Sequence, residues 1–364
     1  MWRIGLWRVG ALVAIRPYER LWAVLKEHLD DPRLLQLFGR YTTYCGSSPF
    51  LTPATLMLIA HVEAQGVWAI DGGMSALANA LEKLARAQGV VFHYGHTAKH
   101  IKLKAGRVEG LTLSNGEWLQ ANHIVFNGDP AALSSGLLGS DASSATRRVP
   151  EKARSLSALV WLAKSKAKGF DLAHHNVFFS DDYPAEFRDI ESGKSPTNPT
   201  VYVCALDRGM GNSSTDAERL QIIVNAPANG DHHRYPNEER EQCTSTMLKR
   251  LNACGLQLEE PLPHQLVTPS EFADLFPATG GALYGRASHG WAASFLRPGS
   301  RTAIPGLYCA GGATHPGAGV PMAALSGRLA SEALLSDLAS TRWYHRRAIT
   351  GGISTHSPMT EATG

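Results

Sequence analysis

The stretch "GLYCAGGATHPGAGVPMAALSGRL", residues 306–329, decides the fold of this chain. It begins as an apolar strand-like run, stops at glycines, passes through a Pro/Gly turn and continues as a helix-like segment. A backbone without Cβ atoms can approach a flat or anionic ligand closely, so the layout predicts a ligand-binding strand–turn–helix corner. The pattern G-x-G-x-x-G, which usually opens a dinucleotide-binding fold, occurs nowhere in the 364 residues.

Composition describes an ordinary globular protein, long enough for two or three domains. The chain is 44% hydrophobic and 18% charged, with a net charge of +3. Because this charge is small and no long Lys/Arg run occurs, we expect no nucleic-acid partner. The five cysteines are odd in number and form no C-x-x-C pair, which favours reduced thiols in a cytoplasmic protein.

The opening segment "MWRIGLWRVGALVAIRPYERLW" combines Trp2, Trp7 and Trp22 with four arginines. It is a poor signal peptide because Arg8 interrupts its apolar core. No apolar run in the chain approaches the ~20 residues that a transmembrane helix needs. Two interpretations stay open: a core helix whose arginines face water, or a basic amphipathic segment in a membrane interface.

The first half of the chain alternates helical and strand patterns. In "GGMSALANALEKLARAQG" (72–89) apolar residues recur on one helical face, and Gly89 is placed to close the helix. Residues 97–130 indicate a three-stranded meander, with turns at "KAGR" and at Asn115-Gly116, the dipeptide that favours a type I′ turn. A return strand then stops at "FNGDP" (126–130).

The second half has a different pattern. From about Arg147, the runs "SALVWLAKS", "NVFFS", "TVYVCALD" and "LQIIVNAP" predict one antiparallel sheet. A helix follows, for which we expect Asn237 as the N-cap and Gly255 at the C-terminal end. The final helix has Pro321 near its first turn, and the sequence loses its period after about Asp337.

These patterns predict an α/β (α+β) chain in which one domain is interrupted by another. Residues 66–135 and 300–338 are interpreted as two pieces of one α/β domain, and residues 136–299 as an inserted antiparallel-sheet domain that binds substrate. We assign residues 1–65 to a region that contacts substrate and membrane. We expect residues 339–364 to be a disordered tail.

Several stretches resemble the carotenoid desaturases, the flavin-dependent phytoene-desaturase family within the flavin amine-oxidase superfamily. They are "RYTTYCGSSPFLTPATLMLIAHVE" (40–63), "GVWAIDGGMSALANALEKLARAQG" (66–89), "LAHHNVFF" (172–179) and "GLYCAGGATHPGAGVP" (306–321). Within the family, "LFPATGGALYGRASHGWAASFLRPGSRTAIPGLY" (275–308) is similar to the 1-hydroxycarotenoid 3,4-desaturases, also called methoxyneurosporene dehydrogenases.

This resemblance implies an FAD-dependent oxidoreductase that introduces a C3–C4 double bond into an acyclic 1-hydroxy- or 1-methoxy-carotenoid, a C40 polyene. It implies a cytoplasmic protein bound peripherally to the inner photosynthetic membrane, with an incomplete FAD-binding Rossmann-like domain. Family members begin with the G-x-G-x-x-G segment that is absent here, so we expect a fragment or a misplaced start codon. The electron acceptor and the catalytic base stay unassigned.

Other functions stay open within the same resemblance. One is a phytoene or neurosporene desaturase, or a carotenoid isomerase of the same family. Another is a non-catalytic, truncated carotenoid-binding remnant. No Ser-His-Asp, H-E-x-x-H or G-x-S-x-G pattern occurs, so the sequence offers no nucleophile for hydrolysis.

The resemblance also assigns site residues. The residues implied in FAD binding are Ala98, Asn127, Gly128, Asp129, Pro130, Gly311, Gly312, Thr314, His315, Pro316, Gly317, Gly319, Val320 and Pro321. The candidate walls of a substrate tunnel are Tyr41, Tyr44, Phe50, Leu56, Trp68, Trp291 and Phe295. The segments from Trp2 to Trp22 and from Tyr41 to Leu51 are the candidate membrane-docking surface.

Two histidine pairs, His174-His175 and His232-His233, raise the question of a metal site. Adjacent residues of a strand point to opposite faces, so neither pair is expected to chelate one ion. No carboxylate or cysteine stands at a supporting spacing in the sequence. We therefore expect no metal.

Overall fold

The computed structural model describes residues 10, 14–208, 217–259, 262 and 264–350. The α-helices of this part are α1 (Leu21–His28), α2 (Pro32–Gly39), α3 (Leu58–Glu63), α4 (Gly73–Ala87), α5 (Pro130–Ser134), α6 (Tyr183–Glu191), α7 (Asn237–Ala253), α8 (Pro269–Leu275) and α9 (Val320–Thr350). Short 3₁₀ segments include Arg40–Cys45, which continues directly from α2, and Ala293–Leu296.

Within the described ranges, the strands form four sheets. The strands are β1 (Ala98–Lys104), β2 (Arg107–Leu113), β3 (Trp118–Gln120), β4 (Ile124–Phe126), β5 (Ser157–Ser165), β6 (Ala167–Lys168), β7 (His175–Phe178), β8 (Val201–Ala205), β9 (Glu218–Ala226), β10 (Gln257–Leu258), β11 (His264–Val267) and β12 (Leu307–Cys309). Their groupings are β1-β2-β3, β10-β6, β11-β5-β9-β8-β7 and β12-β4.

The five-stranded sheet carries the larger apolar core. All its neighbouring strands are antiparallel, as the four β-rich runs predicted. Trp161 on β5 and Ile222 on β9 are fully buried and lie directly opposite each other. Met247 and Leu251 of α7 belong to the same core. Burying each such side chain contributes about 1.5–3 kcal/mol, so this sheet and its helix form a stable platform.

The meander β1-β2-β3 is present with turns at both predicted positions, but the type I′ turn lies at the first of them and not at Asn115-Gly116. Ala105 and Gly106 both have positive φ (49° and 74°) and form the two-residue loop between β1 and β2, which is the type I′ arrangement. The Asn115-Gly116 loop is longer: Leu113 and Glu117 close it through a backbone hydrogen bond, and only Gly116 has positive φ. A third loop residue gives the αL position to glycine alone.

Strands β4 and β12 are parallel neighbours that come from distant parts of the chain. On β4 and β12, Ile124 lies opposite Leu307 and Phe126 lies opposite Cys309. Behind this pair, Leu307 and Cys309 pack with Leu133 of α5 in a second apolar core. The pair places the "FNGDP" turn beside the glycine-rich turn that follows β12.

Two helices leave apolar side chains exposed. The apolar row of α4 has formed as a helix closed by Gly89 (φ 85°), yet none of its side chains is fully buried in the described part of the chain. The exposed apolar residues on and around α4 and α9 are Val67, Trp68, Met74, Leu81, Leu84, Val91, Val320, Met322, Leu325 and Leu335. These faces are therefore uncovered in the described part of the chain.

The structure confirms one predicted helix end and corrects two others. Gly255 follows the end of α7 with φ 86°, as expected, but Asn237 is its first residue and Pro236 occupies the N-cap position without a side-chain hydrogen bond. Helix α9 continues to Thr350, whereas the sequence predicts loss of regular structure from about residue 339. Residues 338–350 contain neither glycine nor proline, the two residues least compatible with a helix interior. Residues 351–364 lie outside the described residues.

The basic aromatic segment at the start of the chain is only partly described. Trp2 and Trp7 lie outside the described residues. Trp22 is half-buried in α1, and its ring centroid lies 4.6 Å from that of Phe50. It therefore packs inside the protein and does not belong to an exposed docking surface. In the described residues, no helix combines the length and apolar character that spanning a membrane requires.

Candidate flavin and substrate site

The turn after β12 has the backbone that its glycines predict. Gly311, Gly317 and Gly319 have φ of 123°, 132° and 104°, a region that side-chain-bearing residues rarely adopt. A Cβ added at Gly312 or Gly319 would meet nothing within 4 Å. The turn thus leaves open space along its backbone. It ends where α9 begins, at Val320.

Inside this turn one polar atom has no partner. Thr314 is fully buried, and its Oγ1 forms no hydrogen bond with any described residue. The neighbouring backbone is held firmly, because the Gly311 N–H donates to Ser326 Oγ at 2.7 Å and the His315 N–H donates to the Pro298 carbonyl at 2.8 Å. An orphaned hydroxyl in an otherwise satisfied turn indicates a place for an external polar group.

The "FNGDP" turn and the glycine turn converge. A Cβ built on Gly311 would lie 3.0 Å from Asn127 Oδ1, and one on Gly285 would lie 2.7 Å from the Ala313 Cβ and 3.3 Å from Asp129 Oδ2. Asp129 also accepts the Ala131 N–H at 2.8 Å and so caps α5. Burial raises the pKa of the Asp129 carboxyl.

Arg297 ties these pieces together and was not among the residues predicted from the sequence. It is 6% exposed, and its Nη1 donates to the Tyr284 carbonyl at 2.7 Å and its Nη2 to the Arg286 carbonyl at 2.6 Å. A Cβ on Gly317 would lie 3.4 Å from Arg297 Nε. Burial lowers the pKa of Arg297, but a guanidinium stays charged. In the sequence, this residue is the arginine of "FLRPG" (295–299), which lies within a stretch that resembles the desaturases.

The other residues assigned to FAD binding are placed as follows. Pro130 is the first residue of α5, and Val320 and Pro321 begin α9. A Cβ on Gly128 would strike the Phe126 ring at 2.5 Å. His315 and Pro316 lie in the glycine turn. Ala98 is exposed at the start of β1, where it pairs with Leu113, and no described contact joins it to the turn.

A cavity of about 330 Å³ adjoins this site. Its apolar walls are Leu156, Ala158, Val160, Ile223, Phe272 and Leu283. Tyr284 also lines it, and the carbonyl of the same residue receives the Arg297 guanidinium. A single residue, Tyr284, therefore connects the cavity to Arg297, which lies beside the glycine turn. Its volume is at the lower end of the range for ligand pockets.

A larger cavity of about 820 Å³ lies elsewhere, between α7 and β11. Its lining includes Arg240, Glu241, Lys249 and His264 and none of the residues of the glycine turn. Of these two cavities, the smaller one connects to the turn through Tyr284 and Arg297, which makes it the candidate substrate site.

The predicted tunnel residues separate into three groups. Tyr44 lines the 330 Å³ cavity, and Tyr41 contacts Tyr44 edge-on with ring centroids 5.6 Å apart. Phe50 packs instead in an aromatic cluster with Trp22, Tyr183 and Phe187. The remaining tunnel residues are Leu56, which is half-buried, and Trp68, Trp291 and Phe295, which are exposed and outside this cavity.

The described lining of the cavity contains neither a carboxylate nor a histidine. Its ionisable side chains are tyrosines and one arginine. Burial raises the pKa of the Tyr44, Tyr202 and Tyr284 hydroxyls, so they stay protonated at neutral pH. The described lining therefore supplies hydrogen-bond donors but no group that takes up a proton at neutral pH.

The histidine pairs are arranged differently from expectation. His174 precedes β7, and its ring turns toward Cys204 so that Nε2 lies 3.6 Å from Sγ. Donor atoms of His174, His175 and Cys204 all lie within 4.8 Å of one another, as do those of Glu151, Asp231 and His232. The prediction that adjacent histidines diverge is wrong for His174 and His175. It requires both to lie in a strand, and β7 begins only at His175. The absence of a metal stays a prediction.

The residues of the glycine turn fit a bound flavin. Open space at Gly312 and Gly319, the orphaned Thr314 hydroxyl and the start of a long helix at Val320 lie along one turn. The unpaired N–H groups of a helix N-terminus favour negative charge. The residues that would hold the ring are therefore in the turn 311–319, and Asn127 to Pro130 lie beside them.

Comparison with known families identifies the class of protein. Residues 22–335 match the family described as flavin containing amine oxidoreductase. The chain belongs to this family. The match confirms the predicted class of flavin-dependent oxidoreductases and the predicted flavin cofactor.

Curated relatives narrow the similarity. The chain is 51% identical to a hydroxyneurosporene desaturase of Rubrivivax gelatinosus over 96% of the chain and 67% of that protein. It is 33% identical to a 1-hydroxycarotenoid 3,4-desaturase of a Flavobacterium species over 83% of the chain and 62% of that protein. The chain thus spans about two thirds of the length of these relatives. Their names agree with the resemblance to carotenoid desaturases found in the sequence.

A solved structure supports the fold alone. The chain resembles an oxidoreductase from Methanosarcina mazei with a TM-score of 0.53 at 16% identity, over 90% of this chain and 72% of that one. The α/β class with an antiparallel sheet is confirmed. The domain boundaries given above stay a prediction.

Proposed function

We propose that this chain acts as an FAD-dependent desaturase that introduces the C3–C4 double bond into acyclic 1-hydroxy- or 1-methoxy-carotenoids. The observation that carries the proposal is the connection, through Arg297, between the glycine turn and an aromatic-lined cavity. The two relatives described above support the substrate class through their names.

Desaturation removes a hydride and a proton from adjacent carbons, and the bound flavin supplies the hydride-accepting chemistry. The residues of this chain supply binding and position. The cavity walls exclude water from an apolar chain, and Arg297 holds Tyr284 against the turn. The N-terminus of α9, which follows the glycine turn, would supply fixed dipoles that stabilise negative charge on a flavin held there. The described lining of the cavity offers no carboxylate or histidine as proton acceptor, and the catalytic base stays unassigned.

The decisive experiment offers the flavin-loaded enzyme three carotenoids in liposomes: 1-hydroxyneurosporene, its 1-methoxy counterpart and neurosporene. We expect the 1-oxygenated substrates to lose two hydrogens and absorb at longer wavelength. Conversion of neurosporene alone would favour a neurosporene desaturase. A product of unchanged mass would indicate an isomerase. Binding without conversion would indicate a carotenoid-binding protein.

Membrane docking is part of the proposal because a C40 polyene cannot cross water readily. Each buried CH₂-sized unit contributes ~0.8 kcal/mol, so transfer through solvent is costly. In the stretch from Tyr41 to Leu51, which the sequence suggested for docking, Tyr44 alone is exposed, so this stretch does not suit the role.

A different surface suits docking better. Tyr18 and Trp291 are 73% and 56% exposed, and their ring centroids lie 5.5 Å apart. Phe295 is 76% exposed, and Arg20 is exposed beside Tyr18. We call Tyr18, Arg20, Trp291 and Phe295 the Tyr18–Trp291 surface. Aromatic rings with a neighbouring cation are the composition that binds a lipid interface.

A further inference from the structure

Arg40 is a buried cation, and two of its donor atoms have no hydrogen-bond partner in the described part of the chain. It begins the 3₁₀ segment after α2 and is 7% exposed. Its Nε and Nη1 atoms are buried and have no hydrogen-bond partner among the described residues. Its guanidinium lies 5.9 Å from the centroid of the Tyr202 ring. Because arginine cannot shed its charge in a protein, leaving these donors unpaired is costly.

The neighbouring buried carboxylate is already engaged. Glu186 is fully buried and accepts the Thr200 N–H at 3.0 Å and the Asn225 Nδ2 at 2.9 Å. Burial raises its pKa, and the attraction of Arg40 opposes that rise. Glu186 therefore lies close enough to interact with Arg40 electrostatically, but it does not satisfy the guanidinium donors.

Arg40 lines the 330 Å³ cavity, and a second unpartnered polar group lines the same cavity. Ser157 is 1% exposed, and its Oγ has no hydrogen-bond partner among the described residues. The walls between these groups are mainly apolar. A mostly apolar pocket with few convergent polar groups is how proteins orient a ligand that has one polar end.

We propose that Arg40 and Ser157 form a binding subsite for the oxygen atom at the end of an otherwise apolar polyene, which is the 1-oxygen of the substrate if the proposed function holds. A hydroxyl oxygen there accepts from Arg40 and donates to Ser157 Oγ. A methoxy oxygen only accepts from Arg40. A hydrocarbon end leaves both groups unpaired and is rejected for that reason.

The geometry also sets which end of the substrate enters. The 1-oxygen lies only three bonds from C3, so a subsite that holds it must adjoin the reacting carbons. Tyr284 lines the cavity together with Arg40 and is bound by Arg297 beside the glycine turn. The oxygen subsite thus positions the C3–C4 bond at the flavin side of the cavity.

The test measures binding by the flavin-loaded enzyme, with neurosporene and 1-hydroxyneurosporene as probes and quenching of tryptophan fluorescence as the signal. We expect the wild type to bind the hydroxylated polyene about 10- to 100-fold more tightly. Arg40→Met should remove this preference. Ser157→Ala should reduce it for the hydroxylated probe and not for the methoxylated one. Arg33→Met, which removes an exposed arginine, is the matched control.

Thermal unfolding separates a binding role from a structural one. Arg40→Met removes two unpaired buried donors but also the positive charge that attracts Glu186, and these effects oppose each other, so its melting temperature should stay close to that of the wild type. Unfolding at lower temperature, or equal loss of affinity for both probes, overturns the inference, and Arg40→Gln checks that result with a smaller change of polarity. Preference for the oxygenated polyene without catalysis overturns the proposed function alone. Catalysis without that preference overturns this subsite alone.

Discussion

The Nη1 atom of Arg297 donates to the carbonyl oxygen of Tyr284 at 2.7 Å. This bond joins the wall of the substrate cavity to the turn that would hold flavin, and Nη2 donates to a second carbonyl nearby. The relative position of ring and substrate therefore depends on one buried side chain. The first prediction follows from it.

Arg297→Met should destabilise the protein and lower its flavin content. Two charge-assisted hydrogen bonds are lost, which costs roughly 3–6 kcal/mol. Urea unfolding followed by circular dichroism, together with the flavin absorbance of the purified protein, measures both effects. Arg301→Met is the control, because Arg301 forms a surface pair with Asp337 and such pairs contribute about 0–1 kcal/mol. Similar losses in the two variants would contradict the assigned role of Arg297.

Gly319→Ala should reduce bound flavin although no atom of the protein obstructs its new Cβ. The positive φ of 104° costs a non-glycine residue about 1–3 kcal/mol, and the added carbon occupies the open space of the turn. Gly317→Val should abolish turnover, because its side chain also presses on Arg297. Gly299→Ala, an exposed glycine with free space and no positive φ, serves as the reference. Full activity in Gly317→Val would remove the turn from the site.

Stability should fall as the pH drops from about 6.5 to about 4, in part through His289. Burial lowers the pKa of His289 to about 4, and its Nε2 accepts the Ser48 N–H at 3.1 Å. The unfolded chain, with an ordinary pKa near 6.5, binds the proton first, so stability rises with pH across this window. The difference corresponds to about 3 kcal/mol. His289→Gln should flatten this part of the unfolding curve, and an unchanged slope would show that His289 does not contribute.

Trp291→Ser combined with Phe295→Ser should lower the fraction of enzyme that floats with liposomes. These residues belong to the Tyr18–Trp291 surface, whose exposed rings are expected to enter the interface. Trp118→Ser tests for a general loss of aromatic surface, since Trp118 is exposed on β3 of the meander. A native enzyme that stays in solution yet converts substrate supplied only in liposomes would refute docking.

The elements that sequence predicts well are those set by local pattern. The glycine turn was recognised because its residues are consecutive and their backbone requirement is a property of glycine itself. The five-stranded sheet followed from runs of β-branched and aromatic residues. Asn115-Gly116 shows the limit, since a turn was predicted correctly in place while one added residue changed its type.

The parts that were missed depend on contacts between distant residues. Arg297 meets the Tyr284 carbonyl, and Arg40 and Ser157 reach one cavity from different elements. Neither of these contacts produces a periodic pattern in the sequence from which it could be predicted. Aromatic content misled in a similar way: Phe50 fills a core cluster, and residue type alone does not separate a core aromatic from a cavity wall.

The parallel pairing of β4 with β12 has a consequence for biosynthesis. Phe126 and Leu307 are separated by residues 127–306. At 5–20 residues per second, the ribosome needs about 10 to 40 s to make them. The strands of the five-stranded sheet all lie within that interval, so this sheet can assemble before β12 has been made and can pair with β4. The nascent chain therefore exposes an unpaired strand edge for that time, and chaperone capture during translation is expected to act on it.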